Sequence, residues 1–95
     1  MAASDQDRWV LLFDSIHHVL AAERAFKEYQ VWCDVVPVPR ELSSDCGMAI
    51  EVRPADLAEV RRVLADPRVS IRAVYQPTEA GRHVQVSALI PEEGS

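Results

Sequence analysis

The residues best suited to chemistry lie in one polar loop, residues 37–47, which reads P-V-P-R-E-L-S-S-D-C-G. The loop ends with a thiol, Cys46, beside Gly47, the residue type with the most permissive backbone. A cysteine thiolate is a nucleophile, and it is favoured where N–H groups or cations surround the sulfur. The same loop supplies side-chain donors at Arg40, Ser43 and Ser44. We therefore predict that Cys46 is the reactive group.

A second set of polar residues stands at the predicted start of a helix. Asp14 and Ser15 are good N-caps, and His17 and His18 follow in the first turn. A helix start carries unpaired N–H groups and a positive partial charge, so it would favour an anion placed near it. Adjacent helical side chains point about 100° apart, so we expect one of the two histidines to face solvent.

The two cysteines, Cys33 and Cys46, also have structural readings. A loop cysteine is often an unreactive filler, and Cys33 alternates with Val31 and Val35 as a core residue would. Their spacing fits neither a CxxC motif nor a zinc knuckle, and a site of Cys46 with the two histidines would lack a fourth zinc ligand. A glycine-rich phosphate loop is also missing from the sequence, so we expect no metal and no cofactor.

Hydrophobic periodicity predicts five strands and two helices. The strands are expected at residues 9–13, 31–36, 48–52, 69–75 and 83–90, the last being an addition at the C-terminus. The first helix should follow Ser15 and bury one face: Ile16, Val19, Leu20, Phe26 and Tyr29. The second should begin at Pro54, bury a stripe and stop at Asp66-Pro67; the stripe consists of Leu57, Val60, Val63 and Leu64.

This order of elements predicts an α+β fold, a ferredoxin-like βαββαβ two-layer sandwich with an extra C-terminal strand. We expect one domain, residues 1–95, with a folded core at 9–90 and tails at 1–7 and 91–95. Chain direction then places the loop 37–47 beside the start of the first helix. It also predicts residues 66–68 at that end of the sheet and the turn 77–81 at the other end.

Composition narrows the classes of function. The chain has 95 residues and a net charge of −5, which argues against a nucleic-acid or anionic-membrane surface. No apolar run approaches the ~20 residues of a membrane span, and the first residues do not resemble a signal peptide. We therefore expect a cytoplasmic protein. Its edge strand could pair with a second copy to form a homodimer.

Two segments, F-D-S-I-H-H-V-L-A-A-E and V-P-V-P-R-E-L-S-S-D-C-G-M-A-I, resemble the small bacterial family described as Se/S carrier protein-like. The resemblance covers residues 9–75. It implies a carrier in which Cys46 accepts sulfur or selenium as a persulfide or selenopersulfide and passes it on. The implied partners are a cysteine desulfurase or other sulfur- or selenium-transfer proteins. The expected anion-binding residues around the sulfur are Ser15, His17, His18, Arg40, Ser43, Ser44 and Gly47.

Two alternatives stay open from the residues alone. The first is a non-enzymatic docking module in which the loop 37–47 binds a partner and Cys46 is incidental. The second is a thiol-dependent redox protein, which has less support because Cys33 lies far from the loop end of its strand. The sequence contains no motif of a stand-alone hydrolase or oxidoreductase.

Overall fold

The fold is an α+β arrangement of one five-stranded antiparallel sheet and two α-helices, as predicted. The structure is a computed structural model, and it describes residues 7–42, 46–78, 82–86 and 89. The strands are Trp9–Leu12 (β1), Asp34–Pro37 (β2), Met48–Val52 (β3), Ala73–Pro77 (β4) and His83–Val86 (β5). The helices are Ile16–Tyr29 (α1) and Leu57–Leu64 (α2), the latter preceded by a 3₁₀ turn, Pro54–Asp56.

The sheet has the strand order β2-β3-β1-β4-β5, with every neighbouring pair antiparallel. The predicted fifth strand is confirmed over residues 83–86, where it pairs with β4. The predictions for residues 1–6, 87–88 and 90–95 fall outside the described part of the chain.

The central strand, β1, is buried on both faces, which explains its continuous apolar sequence. Leu11 lies on the face covered by α1 and α2, which we call the helix face. Val10 and Leu12 lie on the opposite face, which we call the open face. Side chains alternate along a strand, so each face has its own core cluster.

The first helix begins as predicted, and it buries only part of the predicted face. Ser15 is its N-cap, and its buried residues are Val19, Ala22, Ala25 and Phe26. The prediction that Ile16, Leu20 and Tyr29 are buried is wrong, because they are 40%, 51% and 39% exposed. The alanines explain the difference, since small side chains let the helix backbone approach the sheet closely.

The second helix has the predicted stripe and ends just before Asp66-Pro67, as predicted. Val60, Val63 and Leu64 are buried, and Leu57 packs against the same cluster. Residues 66–68, however, contact the last turn of α1, far from its start: Tyr29 donates a hydrogen bond to Asp66 at 3.0 Å. The prediction that they approach Ser15 is wrong because α2, with eight residues, is only ~12 Å long.

Two strands start later than predicted. After α1, Gln30 takes a left-handed conformation (φ 61°) and the Val31 N–H bonds to the Phe26 carbonyl, so β2 begins only at Asp34. Before β4, the Val69 N–H bonds to the Asp66 carbonyl in a turn, and regular pairing begins at Ala73. Among the described residues, no helix is both long and apolar enough to cross a membrane.

Candidate functional site

The described parts of the loop, residues 37–42 and 46–47, contact both faces of the sheet. Its first part, Val38 and Leu42, packs on the open face against the cluster of Val10 and Leu12. Its last part, Cys46, packs against the cluster on the helix face. The described parts of the loop therefore contact both layers of the molecule.

Backbone hydrogen bonds of ordinary length stabilise the described parts of this loop. The Val38 N–H donates to the Gly47 carbonyl at 3.1 Å, and the Leu42 N–H donates to the Pro39 carbonyl at 2.9 Å. Gly47 has φ 78°, a left-handed conformation that disfavours residues with a Cβ. Gly47 thus supplies a left-handed backbone conformation at the point where the loop enters β3.

Cys46 is partly buried, and its sulfur has a backbone partner. The Sγ donates to the carbonyl oxygen of Met48 at 3.0 Å. Only a protonated thiol can fill this donor role. A nucleophilic form would have to give up this contact.

The start of α1 lies at the same end of the sheet as Cys46. Leu12, the last residue of β1, pairs with Ala49, the second residue of β3. The chain therefore leaves β1 for α1 at the end where it enters β3 from the loop. This arrangement agrees with the prediction that the loop 37–47 and the start of the first helix lie at one end of the sheet.

Ser15 and His18 form a local pair at that helix start. The Ser15 Oγ accepts a hydrogen bond from the His18 N–H at 3.3 Å and lies 3.2 Å from the His18 Nδ1. His17 is exposed, as expected for one of two adjacent histidines. The first turn of α1 contains no acidic residue, so no side chain in that turn offsets the positive end of the helix.

The other predicted site residues lie in the loop. Arg40 is exposed, while Ser43 and Ser44 lie outside the described residues. Glu41, the neighbour of Arg40, contacts the Nδ1 of His83 on β5 through a carboxylate oxygen. No local pattern in the sequence predicts this long-range partner. The only sequence signal for it is that β1 is apolar on both faces, which requires something to cover the open face.

The other thiol, Cys33, packs against the helix-face cluster, as expected of a core filler. Burial, together with the charges of Glu23 and Asp34, raises the pKa of Cys33 to about 11. A rise of this kind leaves very little thiolate at neutral pH.

Cys33 and Cys46 are too far apart to form a disulfide in this structure. Cys33 precedes Asp34, which pairs with Glu51, and Cys46 precedes Met48. Met48 and Glu51 are ~10 Å apart along β3. Cys33 lies beyond Glu51 in one direction, and Cys46 lies beyond Met48 in the other. A disulfide needs α-carbons within about 7 Å, so the redox alternative lacks a resolving thiol here.

The described ranges 7–42, 46–78, 82–86 and 89 contain no candidate metal site. No group of three or more His, Cys, Asp or Glu residues in them is arranged to hold a metal ion. In those ranges, the site offers the thiol of Cys46 at the end of the sheet where α1 begins.

Comparisons with known proteins agree with the resemblance seen in the sequence. Comparisons with curated proteins and with solved structures gave no match. A family model matches residues 8–76, which include β1 to β3, β4 except its last residue, both helices and the loop with Cys46. Because this match covers most of the 95 residues, the chain belongs to the family described as Putative Se/S carrier protein-like.

Proposed function

We propose that the protein carries sulfur or selenium on Cys46. The observation that carries this proposal is the position of Cys46, which precedes a left-handed glycine at the end of the sheet where α1 begins. The family description names the cargo class, and the cysteine lies inside the matched range.

The transfer step needs only the thiolate of Cys46 and a donor persulfide. The Cys46 sulfur loses its proton to solvent and leaves its contact with the Met48 carbonyl. It then attacks the terminal sulfur of the donor persulfide, whose S–S bond breaks and whose thiolate leaves. Cys46 now holds the persulfide, and a second transfer of the same kind passes the terminal sulfur to an acceptor. No external oxidant or reductant is required.

The residues around the sulfur would stabilise the anionic forms of this carrier. A persulfide is an anion at neutral pH, and backbone N–H groups at a helix start together with cations favour it. We propose the anion-binding set Ser15, His17, His18, Arg40, Ser43, Ser44 and Gly47.

The partner would be a cysteine desulfurase or another sulfur- or selenium-transfer protein. Two exposed apolar side chains, Ile16 and Leu20, lie one turn apart near the start of α1. They could contact such a donor while its persulfide reaches Cys46. A cytoplasmic location suits this chemistry, because thiols stay reduced there, and both cysteines are free.

The finer architecture that we propose is ferredoxin-like, in one domain with a core at residues 9–90. The order β4-β1-β3-β2, with both helices on one face, supports this arrangement, and β5 adds a strand beyond β4. As an edge strand with Val84 50% exposed, β5 could pair with the same strand of a second copy, which sedimentation would reveal.

The test is to incubate the protein with a cysteine desulfurase and cysteine, and to read the intact mass. We expect one added sulfur atom on the native protein and on Cys33→Ser, and none on Cys46→Ser. Selenocysteine in place of cysteine would test the selenium cargo. An unmodified native protein, or an equal adduct on Cys46→Ser, would contradict the proposal.

A docking module is the second candidate, and two observations favour it. The Cys46 thiol donates to a carbonyl, as a structural cysteine would, and Ile16 and Leu20 are exposed on α1. Binding of a desulfurase that survives Cys46→Ala but is lost in Leu20→Glu, with no sulfur transferred to the native chain, would support this candidate.

A further inference from the structure

The loop with Cys46 is connected to the far edge of the sheet by one side-chain contact. Glu41 accepts from, or pairs with, the Nδ1 of His83. The side chain of His83 is only 17% exposed, and that of Glu41 is 43% exposed. The contact is therefore partly shielded from water, which weakens electrostatic screening.

The two residues come from opposite sides of the sheet. Glu41 follows β2, one edge strand, whereas His83 begins β5, the other edge strand. The sheet is five strands wide, so these edges are roughly 19 Å apart along the hydrogen-bonding direction. Val38 and Leu42 bridge part of this distance by packing on the open face.

The strand register explains why His83 reaches this contact. Ala73 packs in the open-face cluster, and Tyr75 packs against it. Alternation places Pro77 and its partner His83 on the same face. The family match ends at residue 76, so His83 comes from a strand that lies beyond the matched range.

We propose that Glu41 and His83 are positioning residues that hold residues 38–42 across the open face and thereby limit the exposure of the Cys46 thiol. The inference deepens the proposed function, on which its biological meaning rests. Cys46 follows Leu42 by only four residues, so a shift of the open-face segment displaces the thiol at the end of the same loop. β5 thus acts on the thiol of a site that the first four strands build.

The test is the alkylation rate of Cys46 at neutral pH, measured in a Cys33→Ser background so that one thiol reports. We expect His83→Gln and Glu41→Gln to raise this rate about twofold to fivefold, the range that one partly exposed ion pair can supply. Arg82→Gln, which removes a charge beside His83, is the matched control and should leave the rate unchanged. The reciprocal exchange, Glu41→His with His83→Glu, should restore the slow rate.

The Cys33 thiol, measured in a Cys46→Ser background, separates loop release from general unfolding. Loop release should leave Cys33 as slow as before, whereas general unfolding accelerates both thiols. An unchanged Cys46 rate in both glutamine variants would overturn the inference, and so would equal acceleration of both thiols or a failed rescue by the exchange.

Sulfur transfer is a separate readout. If alkylation follows this pattern and no sulfur adduct forms, the positioning role stands and the carrier function fails. If the adduct forms and the alkylation rate of Cys46 does not depend on Glu41 and His83, the carrier function stands and the positioning role fails.

Discussion

Cys33 and Cys46 pack against the same core cluster, yet their backbones place them in different settings. Cys33 leads into a strand, and burial with two nearby carboxylates raises its pKa to about 11. Cys46 lies beside a left-handed glycine in a loop that contacts both layers of the molecule. Burial and nearby carboxylates disfavour the thiolate of Cys33, whereas we propose that a local movement of the loop can expose Cys46.

The two thiols share a residue type, so their surroundings separate them: burial and carboxylates at Cys33, and a left-handed glycine in a loop at Cys46. Moving Cys33 would require breaking the core at the start of β2. Moving Cys46 requires release of its thiol–carbonyl contact, of its packing against the helix-face cluster and of the loop that holds it.

Disruption of the core should abolish the difference in reactivity between Cys33 and Cys46. Phe26 is fully buried against the sheet, so Phe26→Ala should lower the free energy of unfolding by about 3–5 kcal/mol. Urea unfolding measures this loss, and the alkylation rates of the two thiols should converge. Phe26→Leu is the matched control, with a cost of roughly 1 kcal/mol. An unchanged urea midpoint in Phe26→Ala would contradict the packing described for α1.

The Cys33 thiol should react very slowly in the folded protein. A pKa near 11 in place of the ordinary 9.0 lowers its thiolate fraction about 100-fold at neutral pH. Its alkylation rate, measured in Cys46→Ser, should therefore keep rising with pH up to about 11. A rate that levels off near pH 9 would show that burial does not suppress this thiol.

Gly47 should matter through its backbone alone. An added Cβ would meet no atom within 4 Å, but φ 78° is unfavourable for alanine. Gly47→Ala should therefore cost about 1–2 kcal/mol of unfolding free energy and alter the alkylation rate of Cys46. Gly47→Asn, a residue that tolerates this conformation better, is the control. Equal stability of the alanine variant and the native protein would contradict the assigned turn.

The Ser15 cap should contribute a smaller amount. Ser15→Ala removes the acceptor of the His18 N–H and should cost about 1 kcal/mol, measured by urea unfolding. Ser15→Asp keeps an acceptor and should retain most of the stability. We also expect Ser15→Ala to change the reactivity of Cys46 and leave Cys33 unchanged, and an equal effect on both thiols would refute a local role.

The far end of α1 supplies the weakest test, because its charges are exposed. Hydrogen bonds from the Arg68 side chain and backbone hold the pKa of Asp66 well below its usual range. A lowered folded-state pKa stabilises the protein above the unfolded pKa, and that stability is lost as the pH falls through the folded pKa. Asp66→Asn should flatten the loss of stability below about pH 4 without changing Cys46 alkylation. An unaltered acid profile would mean that the carboxylate adds nothing to folding.

The sequence predicts most of the elements because their signals are local. The cap at Ser15, the stripe of α2 and the alternation of β3 each depend on residues close in the chain. The buried face of α1 was partly mispredicted, because a hydrophobic pattern ranks Leu20 above Ala22. The sheet instead accepts the small side chain, since the helix packs close to it.

The site was predictable only in outline. Chain direction alone brings Cys46 to the end where α1 begins, since β1 and β2 both run antiparallel to β3. The Glu41–His83 contact joins residues 42 positions apart across the sheet, and no local pattern encodes it. The Met48 carbonyl that accepts from Cys46 was equally hidden, because it depends on how the loop enters β3.

The most direct test of the central claim compares the two thiols within one sample. The native protein is incubated with a cysteine desulfurase and cysteine, digested, and analysed by mass spectrometry for the added sulfur on each cysteine peptide. We predict that the sulfur is found on the peptide with Cys46 and that the peptide with Cys33 stays unmodified. Equal labelling of both peptides, or labelling of Cys33 alone, would contradict the account.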